Sequence, residues 1–183
     1  CGYEVSGEVM NAMYFNVPQR RERVIIIGTR KDLGIKPSHP KPSSKPISVY
    51  EAFSGVENKT FIDTDYTKHR RGPYRLHQLI KLMKPGEAAS KHLPKGGFSM
   101  FRLDGQKPAQ TIQRLLLGTG VAVIHPIEDR QITIEEAKRL ASFPDDFIFL
   151  GSYREQWARI GNSVPPNLMK AIAEHIRKEI LRK

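Results

Sequence analysis

A mixed α/β chain is predicted by three features of the sequence. Two β-rich runs stand near the start, two amphipathic helical patterns stand near the end, and an irregular, proline-rich and basic stretch lies between them. The first run, Tyr3 to Val9, is β-compatible, and the second, Arg23 to Thr29 (RVIIIGT), is almost continuously β-branched, the pattern of a strand buried on both faces. They read as two strands joined by a loop that carries Gln19 to Arg23. From Gly34 to Ser48 four prolines fall among lysines and serines, which predicts an extended linker.

The middle predicts a short helix over Tyr50 to Val56. A second, over Leu76 to Lys84, has apolar residues at 76, 79, 80, 82 and 83 and is stopped by Pro85-Gly86. Asp104-Gly105, inside FSMFRLDGQKPAQTIQ, is a hairpin-type turn signal, and Val121 to Ile124 is strand-sized. Thr133 followed by Glu136 makes a capping box for a helix whose apolar face is Ile134, Ala137, Leu140 and Ala141. The last helix begins at Pro165-Pro166 and places Leu168, Ile172, Ile176 and Ile180 on one stripe.

No apolar run approaches the roughly 18–20 residues that cross a bilayer, so a spanning segment is not expected. The only cysteine is Cys1, and the six histidines are scattered. That excludes a disulfide framework and a cysteine-based zinc site, predicts no metal, and suits a cytoplasmic protein. The net charge of +11 is unevenly placed. Lys31 to Ile127 holds 16 basic and 7 acidic residues, whereas each flanking segment is close to neutral. An excess confined to one block points to a polyanionic partner.

Three short stretches carry chemistry. Asn16-Val17-Pro18-Gln19-Arg20-Arg21-Glu22-Arg23 runs straight into the VIIIG strand; alone it would be a solvated turn, but the arginine abutting a buried strand can offer its fork to a phosphate or a carbonyl oxygen. His125-Pro126, Arg130 and the run from Thr133 to Phe147 describe a capped helix with a turn after it. Arg159-Ile160-Gly161-Asn162-Ser163-Val164-Pro165-Pro166 reads as a tight turn feeding a helix N-terminus, a place where backbone N–H groups meet anionic ligands.

In this order the three stretches resemble the late shared motifs of DNA cytosine-5 methyltransferases: V-P-Q-x-R-x-R, then H-P with R-x-L-T-x-x-E-x-x-R-L-x-x-F-P-D-x-F, then G-N-x-V. Lys107 to Ile112 is similar to the Thr-Leu or Thr-Ile signature of the family's target-recognition region. Asn16 stands where the family has glycine, Ile132 where it has leucine, and Glu135 and Ala141 where Arg and Gln are common. The resemblance implies an incomplete Rossmann-like α/β catalytic domain with a small irregular α+β target-recognition domain inserted. Its expected boundaries are residues 1–30 for strands of the catalytic domain, 31–127 for recognition, and 128–183 for helices returning to the catalytic domain.

The resemblance also implies the chemistry. A cysteine thiolate adds to C6 of a flipped-out cytosine, and C5 then takes the methyl group of S-adenosylmethionine. Arg23 is the candidate contact to the cytosine O2, where a cation stabilises developing charge, with Arg21 supporting that site or a nearby phosphate. Asn162 and Ser163 match a cofactor-contacting turn. Gln19 is placed at the DNA side or as loop support, while Ser99, Arg102, Thr111 and Ile112 fall where bases of double-stranded DNA would be read, Arg102 as a bidentate guanine contact. The family's Gly-rich cofactor loop, Pro-Cys nucleophile and Glu-Asn-Val acid would precede Cys1, so the chain reads as a C-terminal part that is inactive alone. Other readings are the DNA-binding subunit of a split methyltransferase and a stand-alone DNA-binding module. An upstream Pro-Cys, in the same reading frame or in a neighbouring gene, separates them.

Overall fold

The computed structural model describes residues 2–57, 59, 73–93, 100–114 and 123–181. Strands β1 (Tyr3–Asn11) and β2 (Glu22–Arg30) pair antiparallel from Tyr3 opposite Arg30 to Asn11 opposite Glu22. A 3-10 turn at Ala12–Tyr14 leaves β1, capped by the Asn11 side chain on Met13 N. Asn16 then adopts a left-handed φ of 56°. Asparagine is among the few residues that accept this conformation, which accounts for its standing in for glycine.

Strand alternation gives the pair two faces. Met10 and Ile27 lie on the face that buries Leu168 and Ile172 of α5 (Pro166–His175), whose helical path continues as a wider π turn through Ile176–Leu181 to Ile180. The other face carries Tyr3, Val5, Val9, Val24 and Ile26, which are 53–69% exposed. The β2 run expected to be buried on both faces is thus covered on one only among the described residues. The linker after β2 is extended as expected, pinned where Ser43 and Ser44 donate backbone N–H groups to Tyr14 O.

In the middle, α1 (Val49–Phe53) starts at a capping box of Ser48 and Glu51, and α2 (Pro73–Leu82) ends just before Pro85-Gly86. Strand β3 (Phe101–Arg102) pairs with β4 (Val123–Ile124) in parallel. The Asp104-Gly105 turn therefore does not close a hairpin: it instead brings Gly105 O to the Tyr50 N–H, and β3 finds its partner further along the chain. Residues 121 and 122 of the expected strand lie outside the described residues.

Helix α3 (Ile134–Leu140) has the expected capping box, with Thr133 accepting from Glu136 N. Helix α4 (Tyr153–Asn162) is not in the sequence reading, although Ser152 and Glu155 form a capping box of the same kind. Its last two residues are Gly161 and Asn162, so the Gly-Asn-Ser stretch is a helix end as well as a turn. The described residues form three apolar clusters. One joins β1, β2 and α5; one joins α2, Ala89, Met100 and Ile124; the largest joins α1, Leu103, Ala109, Ile112 and Val123 to α3 and α4. Position 127/128 is thus not a packing boundary: α3 and α4 share a core with the middle segment, while α5 packs on the opening strands.

Candidate functional site

Pro18 to Arg20 and the Ala109 region form a short bridge, with Ala109 N donating to Pro18 O at 2.9 Å and Arg20 N to Ala109 O at 2.8 Å. Thr111 Oγ1 donates to Arg20 O at 2.8 Å. One residue on, Arg21 is 2% exposed. Its Nη1 donates to Ile112 O at 3.0 Å and Gln19 Oε1 at 3.5 Å, and its Nη2 to Gly161 O at 2.7 Å and Ser163 O at 2.9 Å. These acceptors come from three of the stretches singled out in the sequence and include no carboxylate. Burial, with Arg23 nearby adding repulsion, lowers the Arg21 pKa to about 10. Arg21 Nε and the neighbouring Gln19 Nε2 are buried and find no partner among the described residues. Arg21 is therefore a buried tie between segments, which leaves support of the Arg23 site, and not the nearby phosphate, of its two expected roles; Gln19 is buried loop support, not an exposed DNA contact.

Arg23 is the second residue of β2, opposite Met10, and is half-buried. Its Nη1 donates to Glu22 O at 2.6 Å, and its Nε and Nη2 groups make no hydrogen bond among the described residues. Of the two arginines, this is the one with donors left to offer.

At the junction of α4 and α5, the Ser163 hydroxyl donates to Ile160 O at 2.7 Å, which leaves it able to accept but not donate. Asn162 is exposed, with no side-chain hydrogen bond among the described residues. Gly161 sits where a Cβ would come within 2.6 Å of backbone atoms of Gln113 and Arg114. Only glycine allows that approach without backbone movement.

The expected base-reading residues are dispersed. Ser99 lies outside the described residues. Arg102 is buried, with Nη1 donating to His125 O and Glu128 O and Nη2 to Ile80 O and Asp129 Oδ1. A guanidinium so engaged ties β3 to the turn after β4, and no free fork remains for guanine. Ile112 is 1% exposed and belongs to the core, leaving its backbone carbonyl as its contribution to the junction. Thr111 keeps a partly exposed position, its hydroxyl engaged by Arg20 O.

Beside the junction, Trp157 is fully buried and its Nε1 donates to Gln113 O at 2.9 Å. The sequence reading missed this residue; the capping box at Ser152 and Glu155 was the available signal. The His125 to Phe147 stretch forms a charged scaffold. Arg130 bonds both Glu136 and Glu128, and these carboxylates raise its pKa. His125 stacks on Phe53, and its Nδ1 accepts from Ile127 N and Glu128 N.

Two clefts flank this arrangement. The larger, about 610 Å³, lies among Val56, Ile134, Lys138, Phe147 and Phe149 and touches none of the residues around Arg21. The smaller, about 420 Å³, is lined by Met13, Arg20, Phe101, Lys107 and Gln110 and adjoins the junction through Arg20 and Ala109. Among the described residues no three His, Cys, Asp or Glu side chains gather as metal ligands, and no helix is long and apolar enough to cross a membrane.

Residues 1–178 match the family model of C-5 cytosine-specific DNA methylases. The chain is 35% identical to the type II methyltransferase M.NgoFVII of Neisseria gonorrhoeae, an alignment covering 96% of this chain and 50% of that one. It is 33% identical to M.PspPI of a Psychrobacter species, covering 96% of this chain and 46% of the relative. The chain spans about half the length of the curated relatives it matches. Its fold also resembles that of a DNA modification methyltransferase encoded within an Escherichia coli prophage, with a TM-score of 0.74, 19% identity, and 99% of this chain against 62% of the other covered. A methyltransferase of Entamoeba histolytica follows at a TM-score of 0.59 and 15% identity, over 100% of this chain and 55% of that one. With three of its motif stretches meeting on Arg21 and the family model matched over nearly its whole length, the chain belongs to the C-5 cytosine-specific DNA methylases, and its fold is the α/β, Rossmann-like one of methyltransferases.

Proposed function

We propose that this chain is the C-terminal part of an enzyme that methylates C5 of a flipped-out cytosine within a specific sequence of double-stranded DNA. In this reading the chain supplies DNA recognition and part of the active-site wall. The observation that carries it is the Arg21 junction, where the V-P-Q-R loop, the Thr-Ile segment and the Gly-Asn-Ser turn meet through one guanidinium.

Arg23, with donors to spare beside that junction, orients the cytosine through its O2 and stabilises the charge that grows there. Thr111, partly exposed at the edge of the recognition segment, takes a backbone position near the DNA; Ser99 is assigned to the same surface from its sequence match alone. The basic excess between Lys31 and Ile127 holds the phosphates. The exposed Asn162 amide and the accepting Ser163 hydroxyl fit S-adenosylmethionine, which when bound supplies the methyl group. The described residues offer few other groups to hold it, so its main contacts are assigned to the N-terminal part of the enzyme.

The nucleophile and the proton donor of the family also belong to that N-terminal part, so this chain by itself is inactive. The exposed apolar face of Tyr3, Val5, Val9, Val24 and Ile26 favours its packing there, in the same polypeptide or as a separate subunit. The test is transfer of labelled methyl groups from S-adenosylmethionine to duplex DNA, by this chain with and without the N-terminal part. Transfer only when both are present is the expected result, and robust transfer by this chain alone would overturn the proposal.

A further inference from the structure

The fastenings of the recognition segment form a pattern that simple packing does not require. Consecutive carbonyls of that segment are held by two different side chains, Ile112 O by Arg21 at 3.0 Å and Gln113 O by Trp157 Nε1 at 2.9 Å. The next backbone unit lies against Gly161, at a distance where a Cβ would come within 2.6 Å of Arg114. The Arg21 guanidinium that holds Ile112 O from one nitrogen holds Gly161 O and Ser163 O from the other.

A planar fork suits this arrangement: its two Nη groups are rigidly linked, so displacing the acceptors on one side reorients the donors on the other. A lysine ammonium is a single point of attachment and transmits no such constraint. The bonds to Ile112 O and Gly161 O are buried, so leaving either carbonyl unpaired is costly.

We propose that Arg21 is a positioning residue that couples the DNA-recognition segment 111–114 to the cofactor-side turn 161–163, and that it contacts neither ligand itself. This rests on the proposed function, which assigns DNA to one segment and S-adenosylmethionine to the other. Coupling between two sites is reciprocal in binding free energy, so loss of the tie weakens both ligands together.

The test uses the complete methyltransferase on genomic duplex DNA. Arg21→Lys is expected to raise the equilibrium Kd for DNA and the Kd for S-adenosylmethionine together, each measured with the other ligand bound and each by about tenfold. Trp157→Phe keeps an aromatic ring, smaller than the indole, but drops the tie to Gln113 O, and is expected to raise the Kd for DNA alone. A readout without any variant is hydrogen exchange in the wild-type enzyme, where S-adenosylmethionine without DNA should slow exchange of the amides in 111–114. If Arg21→Lys moves one Kd only, or both variants move both equally, or exchange at 111–114 ignores S-adenosylmethionine, the coupling is refuted. A wild-type enzyme that transfers no methyl group would instead refute the proposed function.

Discussion

Arg21 and Arg23 are separated by a single residue, yet their surroundings assign them different work. Arg21 is buried with its Nη groups given to oxygens of residues 19, 112, 161 and 163, whereas Arg23 gives one to Glu22 O. In the complete enzyme, Arg23→Ala should lower the methylation rate by on the order of a hundredfold while changing DNA affinity much less, because a preorganised charge contact acts mainly on the transition state. Steady-state kinetics set beside equilibrium DNA titration check this, and rate and affinity falling together would make Arg23 a phosphate anchor. Gly161 offers a test of packing at the same scale. A methyl group there meets backbone, which cannot swing aside as a side-chain tip can, so Gly161→Ala should destabilise the fold by about 1–3 kcal/mol. Urea unfolding measures it, and a midpoint equal to wild type would mean that the 113–114 backbone yields freely.

Among the elements, α3 and the turn before it carry the clearest pH dependence. Burial lowers the His125 pKa, and its Nδ1 accepts two backbone N–H groups that a protonated ring would repel. Burial pushes the Glu136 carboxyl up, but hydrogen bonds from Arg130 and Thr133 N and the nearby charges outweigh it, leaving it below the usual carboxylate range. The neutral histidine and the ionised glutamate are the forms the fold favours. Stability is therefore full above pH about 6.5, falls below it as His125 is protonated more readily in the unfolded chain, and falls again below about 4.5 as Glu136 is lost. Thermal melts across this range should show both limbs, and His125→Gln should remove the upper one; an unchanged upper limb would assign it to another group. The α3 capping box was legible because Thr133 and Glu136 stand directly before an apolar period. The box at Ser152 and Glu155 was equally present, but α4 offers only Tyr153, Trp157 and Ile160 to one apolar cluster among mostly polar neighbours, too short a stripe for periodicity to reveal the helix.

At the scale of the whole molecule, the uneven placement of charge comes first. The basic excess lies between Lys31 and Ile127, so the association constant for duplex DNA should fall with salt on a log–log plot with a slope of several units. A flat response, measured by titration at several salt concentrations, would remove the recognition role from this segment. The exposed face of β1 and β2 makes a separate expectation. Val5→Lys with Ile26→Lys should reduce self-association of this chain and its recovery of activity with the N-terminal part, while α5 still packs on the opposite face. Sedimentation and methyl transfer read the two effects, and variants that associate and reconstitute as well as wild type would show that the face is not an interface.

By itself the sequence determined the elements whose signal is local: both strands, the capped α3, the proline-initiated α5, the uneven charge and the motifs that identify the family. Tertiary structure decided which polar groups were available. Arg21, Arg102 and Arg23 are the same residue type, and only the fold buries the first two among carbonyls from distant segments while leaving the third with donors in hand. The reason is physical: an apolar period is written in neighbouring residues, but a buried guanidinium must be satisfied by whatever backbone the folded chain brings to it, and those partners lie 22 to 142 residues away along the sequence.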